Sequence, residues 1–154
     1  MLEVTKVWDD DELRLILCGD IDESANLMDL LGHIPGKVCI NTRGVTRVNS
    51  VGLKIWVDFF ARCKDAKIRI RYVDCSSALT NHLHSSILSG GGGTVESVMG
   101  PFVCTQCKNE FELSIRTPDI MSIKPQITGQ KCPRCGALST FDEIPQEYFR
   151  FLGG

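Results

Sequence analysis

The chain has almost no surplus charge: 17 Lys+Arg stand against 19 Asp+Glu, a formal net of -2. Neither half is basic, so the electrostatic footprint of a nucleic-acid or anionic-membrane binder is missing. No apolar run approaches the length of about 18 residues that a membrane span needs. The start, Met1 to Val7, leads into Asp9-Asp10-Asp11-Glu12. It has neither the basic opening nor the apolar centre of an export signal. These absences give the expectation of a cytoplasmic protein without membrane insertion. G-x-S-x-G, H-E-x-x-H and G-x-G-x-x-G are all missing, and the tetraglycine Gly90–Gly93 is not followed by the Lys-Ser/Thr of a phosphate loop. No pattern argues for an enzyme. His82 and His84 stand at i and i+2 of an expected helix, so they do not converge on a metal.

What is present is cysteine, eight in 154 residues. Cys18, Cys39, Cys63 and Cys75 are scattered and read as small buried hydrophobes. Cys104-x-x-Cys107 and Cys132-x-x-Cys135 are different. Two tight turns each offering two thiolates can close a tetrahedral zinc site. With four thiolates no coordination position stays open, which favours a structural role. A segment of this size also buries little apolar surface, so a metal is a natural staple. Phe111, Leu113 and Ile115 alternate as a strand, and Leu138–Asp142 reads as another. The pattern resembles a zinc ribbon. Iron fits the same ligands, and two redox dithiols are the other reading. The aromatic tail from Pro145 to Leu152 is expected to pack back on this module.

Residues 1–99 read as alternating strands and helices. Glu3–Trp8 and Leu13–Cys18 suit a hairpin. Asp22 or Ser24 caps a helix ending near Leu31. Lys37–Asn41 is a buried strand. A long helix opens at Thr46–Leu53 and runs to Lys64, with Val51, Ile55 and Phe59 stacked at i, i+4 and Trp56, Phe60 and Cys63 widening the same face. Ile68–Val73 is a strand, Ser76 or Ser77 begins a third helix through Leu79 and Leu83, and Val95–Met99 forms a last strand. The expected class is α/β with a mixed sheet flanked by helices. A second unit, residues 100–154, carries the four-cysteine module beyond the glycine-rich linker.

Three pieces in this order, Gly19-Asp20-Ile21-Asp22, the strand Val38–Asn41, and Val48-Asn49-Ser50-Val51-Gly52-Leu53, resemble a STAS domain, the fold of bacterial anti-sigma factor antagonists. The similarity covers about residues 2–88. It implies a non-enzymatic regulator that binds a protein partner, a serine kinase acting as anti-sigma factor, and is switched by phosphorylation. Carried over by position, Ser50 is the acceptor, Gly52 matches the motif glycine, and Asp20 and Asp22 lie on the adjoining loop. Asn49 stands where the family carries Asp, and Val51 replaces its second Ser. The implied binding surface comprises Asp20, Asp22, Asn49, Ser50, Val51, Gly52 and Leu53. A plain N-cap at Asn49 or Ser50 is the bland alternative. A constitutive scaffold and, through the ribbon, a nucleic-acid-binding regulator are the functional alternatives.

Overall fold

The computed structural model describes residues 1–82, 94–117 and 130–149. Strands β1 (Glu3–Asp9) and β2 (Glu12–Ile21) form the expected antiparallel hairpin. In β2, Leu13, Leu15 and Leu17 are buried while Arg14, Ile16 and Cys18 face out. That alternation follows from the two-residue period of a strand. Cys18 is therefore exposed, against expectation, because it falls on the outward face with Arg14 and Ile16; Cys39, Cys63 and Cys75 are buried as expected.

Helix α1 (Leu27–Leu31) is capped by Asn26, whose side chain accepts from the Asp29 N–H at 3.2 Å. Asp22, one of the two expected caps, instead accepts from Ser24 N at 2.9 Å and closes the turn before the helix. β3 (Lys37–Val48) is longer than its apolar run because it stays beside β2 through two register shifts. One lies opposite Gly44, where any Cβ would sit 2.4 Å from the Cys18 sulfur. α2 (Ser50–Asp65), β4 (Arg69–Val73) and α3 (Ser77–His82) follow.

The first sheet runs β1-β2-β3-β4-β5, with β5 at Thr94–Val95. Its first pair is antiparallel and the rest are parallel, so the chain is α/β with a mixed sheet. Leu13, Val38 and Ile70 share one face by register, as do Leu15, Ile40 and Tyr72. Helix α2 covers that face: the Trp56 and Phe60 rings lie 6.4 and 6.1 Å from Tyr72. Buried aromatics of this size are each worth several kcal/mol, about 3–5 on truncation to Ala. On the opposite face, Arg71 grips Glu12 through two bonds of 3.0 and 2.6 Å and reaches Glu96 at 2.8 Å. That hydrogen-bonded guanidinium holds the Glu12 carboxyl below its usual range.

The second sheet is antiparallel, in the order β7-β6-β9-β8. Its strands are β6 (Ser97–Cys104), β7 (Glu110–Arg116), β8 (Gln130–Lys131) and β9 (Leu138–Phe141). The boundary set between residues 99 and 100 falls inside β6. The two sheets are joined there. Cys75 bridges Val98, donating to Ser97 O at 3.1 Å and accepting from Met99 N at 2.8 Å. Asp74 accepts from Ser97 Oγ at 3.1 Å and Ser114 Oγ at 2.5 Å. Helix α4 (Pro145–Tyr148) folds back: Tyr148 donates to Met99 O at 2.6 Å, and Phe149 stacks on Phe141. Leu83, Gly90–Gly93 and the tail beyond Phe149 lie outside the described residues.

Candidate functional site

Two features collect chemistry. The first is the cluster Cys104, Cys107, Cys132 and Cys135, whose sulfurs all lie within 4.8 Å of one another. Cys104 ends β6, and Cys107 follows in the tight turn to β7. The second knuckle closes through Cys132 N to Ala137 O at 2.8 Å and Gly136 N to Cys132 O at 2.9 Å, with Gly136 at φ 77°. Cys104 Sγ stands 3.5 Å from Cys135 Sγ, and Cys107 Sγ 3.7 Å from Cys132 Sγ. A tetrahedron with metal–sulfur bonds of about 2.3 Å has edges of about 3.8 Å, so the spacing fits a metal. It is far beyond the disulfide length of about 2.05 Å.

The surroundings favour the thiolate at Cys104 and Cys132. N–H groups of Cys107 and Gln106 point at Cys104 Sγ, both at 3.4 Å, and lower its pKa. Burial opposes ionisation of Cys132, yet N–H donation from Cys135 and Arg134 and the Asn109 amide outweighs it, drawing the thiol down to about 6. At Cys107 the Asn109 N–H favours the thiolate but is overcome by burial and by three neighbouring thiols, which push it up to about 11. A bound cation favours the thiolate form of the sulfurs that hold it. The four sulfurs could thus hold one metal ion, with no position left open for a substrate. Asn109, bonded to Cys132 Sγ at 3.7 Å, was not foreseen. The only sequence signal for it is its place two residues after the first knuckle.

The second feature is the corner where β2 and β3 end and α2 begins. Asn49 is the N-cap: its Oδ1 accepts from Gly52 N at 2.7 Å, and Leu53 N donates to its carbonyl at 2.8 Å. Its Nδ2 donates to Glu23 at 2.8 Å. Capping is therefore the task of Asn49 rather than Ser50. Ser50 is exposed, and its hydroxyl has no hydrogen-bond partner among the described residues. Val51 beside it is 52% exposed.

Gly52 lies beneath. A Cβ there would stand 2.1 Å from Ile21 O and 2.5 Å from Asp22 N, so only glycine lets the helix rest on the end of β2. Leu53 is half-buried against the core. Asp20, Asp22 and Asn49 line one open groove of about 530 Å³, with Asn81 of α3 across it. Asp20 accepts from Thr46 Oγ1 at 3.2 Å. The Ser24 hydroxyl and N–H lower the Asp22 carboxyl. The groove sits at the carboxyl ends of parallel strands, the usual place for recognition in open α/β sheets. Of the seven residues assigned to this surface, three line the groove, Ser50 and Val51 stand exposed on the first turn of α2, and Gly52 and Leu53 support it from within. Asn81 and Glu23 were missed. Asn81 reaches the groove only through the crossover that follows β4, which no local pattern shows. No protein-family model matches the chain, and no curated protein matches it either.

Proposed function

We propose that this chain is a non-enzymatic, cytoplasmic bacterial regulator of STAS type that binds a protein partner at the Ser50 corner. Its C-terminal module is a zinc ribbon with a structural role. One observation carries the reading: Asn49 does the capping, which leaves the Ser50 hydroxyl exposed at the helix N-terminus, next to a groove lined by Asp20 and Asp22. The partner in this reading is a serine kinase of the anti-sigma type. A phosphate on Ser50 adds a charge of about −1.5 to −2. The helix terminus offsets part of it, by about 0.3–1 kcal/mol at an exposed site. A partner surface packed against the neutral Ser50 hydroxyl has no room for the phosphate and must desolvate its charge, which displaces it.

Pull-downs with Ser50→Ala and Ser50→Asp test this. The account expects Ser50→Ala to retain the partner and Ser50→Asp to lose it by at least about tenfold, equivalent to 1.4 kcal/mol. Mass spectrometry of the native protein is expected to find phosphate on Ser50. Equal retention by both variants with no modified Ser50 makes the chain a constitutive scaffold and removes the switch.

A further inference from the structure

Helix α3 belongs to two surfaces. Ala78, Asn81 and His82 stand at i, i+3 and i+4 of one helix face, and all three line the groove beside the Ser50 corner. Leu79 and Thr80, on the other side, are buried. At the near end the Ser77 hydroxyl donates to Glu112 Oε1 of β7 at 3.2 Å. One short helix is therefore both a wall of the groove and a neighbour of the second sheet.

A helix of six residues does not hold itself in water, where about 12–15 residues are marginal even for favourable sequences. Its place is set by what it rests on. Cys75, just before it, is the meeting point. The Cys75 carbonyl accepts from Thr80 Oγ1 at 3.3 Å and from Met99 N of β6 at 2.8 Å. The Met99 carbonyl in turn accepts from the buried Tyr148 hydroxyl at 2.6 Å. The Tyr148 ring packs edge-on against Phe141 of β9, and Phe141 against Phe102 of β6, each at 5.4 Å. Phe102 shares its strand with Cys104. A continuous row of buried groups thus joins the four-cysteine cluster to the groove wall. Helix α3 also rests on β3, where Ser76 N donates to Thr42 Oγ1 at 3.3 Å. Loss of support from the second sheet should therefore tilt the helix rather than release it.

We infer that the C-terminal module, through Tyr148, positions the α3 wall of the groove and so tunes how well the Ser50 corner holds its partner. Tuning of a partner presupposes the binding role proposed for that corner. Tyr148 is a positioning residue: it does not line the groove, and it acts on Asn81 through Met99, Cys75 and Thr80. Coupling of this kind through packed side chains changes affinity by about 2- to 30-fold.

The test uses the full, metal-loaded chain. Tyr148→Phe keeps the ring and removes the hydroxyl. Glu112→Gln changes an exposed side chain and keeps the fold. Both variants should still carry one zinc per chain. In Tyr148→Phe the Asn81 side-chain amide and the Ala78 backbone amide resonances should shift, while the Asn26 side-chain amide at the start of α1 should not. Glu112→Gln should shift Ala78 more than Asn81. A chelator added to the parent should move the Asn81 and Ala78 resonances further in the direction seen with Tyr148→Phe. For affinity, the probe is the protein that Ser50→Ala retains, and Tyr148→Phe should bind it about 2- to 30-fold more weakly. Unmoved Asn81 and Ala78 resonances in Tyr148→Phe, or unchanged affinity for that probe, would overturn the inference. If Asn81 shifts but the Ser50 variants recover no partner, the reading of the corner fails and the positioning of α3 stands.

Discussion

Replacing Cys132 with Ser should cost the chain its metal and lower its melting temperature by more than about 10 °C. For a chain of this size a loss of about 5 kcal/mol corresponds to roughly 10–20 °C. Structural zinc sites contribute more than that in small peptides, about 10–16 kcal/mol. The effect should not stop at the knuckles. Cys104 is the last residue of β6, and the first residues of the same strand bond to Cys75 beside the first sheet. Ser77 Oγ donates to Glu112 Oε1 at 3.2 Å, and Thr117 Oγ1 to Val95 O at 2.8 Å, so β7 and its end are also tied to the α/β body. Amide exchange in Cys132→Ser should therefore accelerate at Val98–Phe102 and, less strongly, at Cys75 and Glu96. A chelator added to the parent chain should reproduce the change. If the α/β part melts at an unchanged temperature while the second sheet exchanges freely, the two sheets are energetically separate.

Gly52→Ala should be the most damaging single methyl addition in the described α/β body. The atoms it would strike are Ile21 O, Ile21 C and Asp22 N, at 2.1, 2.3 and 2.5 Å. All are backbone, so no side chain can swing aside. Either the start of α2 lifts or the end of β2 shifts, and Trp56, one turn along, moves with it. Overpacking a close contact costs about 1–3 kcal/mol where side chains yield. Here the expected loss is at the top of that range or above, together with loss of the Asn49 cap. Gly36→Ala is the control. No atom lies within 4 Å of its Cβ, so it should be neutral or slightly stabilising. Denaturant midpoints check both. Equal stability of the two variants would mean that the close approach at Gly52 is not what seats the helix.

That same contact explains what could be read from the residues and what could not. The C-x-x-C pairs were legible because ligand spacing within a knuckle is local. The hairpin and the buried runs were legible because a strand's period is local too. Most of the inward face of α2 was also legible: Trp56, Phe59, Phe60 and Cys63 are buried as their spacing implies, whereas Val51 is exposed and Ile55 half-buried, because Gly52 resting on Ile21 sets the rotation of the first turn. Helix rotation is a tertiary quantity. Cys18 was misread for a different reason: its parity in β2, opposite to that of Leu13, Leu15 and Leu17, is local and puts it on the outer face, but residue type was weighed instead. The full length of β3 was hidden because Thr42–Thr46 lacks an apolar run and is held by pairing with β2 rather than by composition. At the candidate site, Asp20, Asp22 and Ser50 were singled out through the resemblance of their segments to a STAS domain. Asn49 was singled out with Ser50, but only the geometry divides the capping bond from the free hydroxyl.

The most direct test of the account is a metal and thiol count on native chain purified without chelator. The account predicts one zinc per chain, four thiols that react only after the metal is removed, and no disulfide. A metal-free chain in which the Cys104, Cys107, Cys132 and Cys135 thiols react at once, or are joined as disulfides, would contradict it.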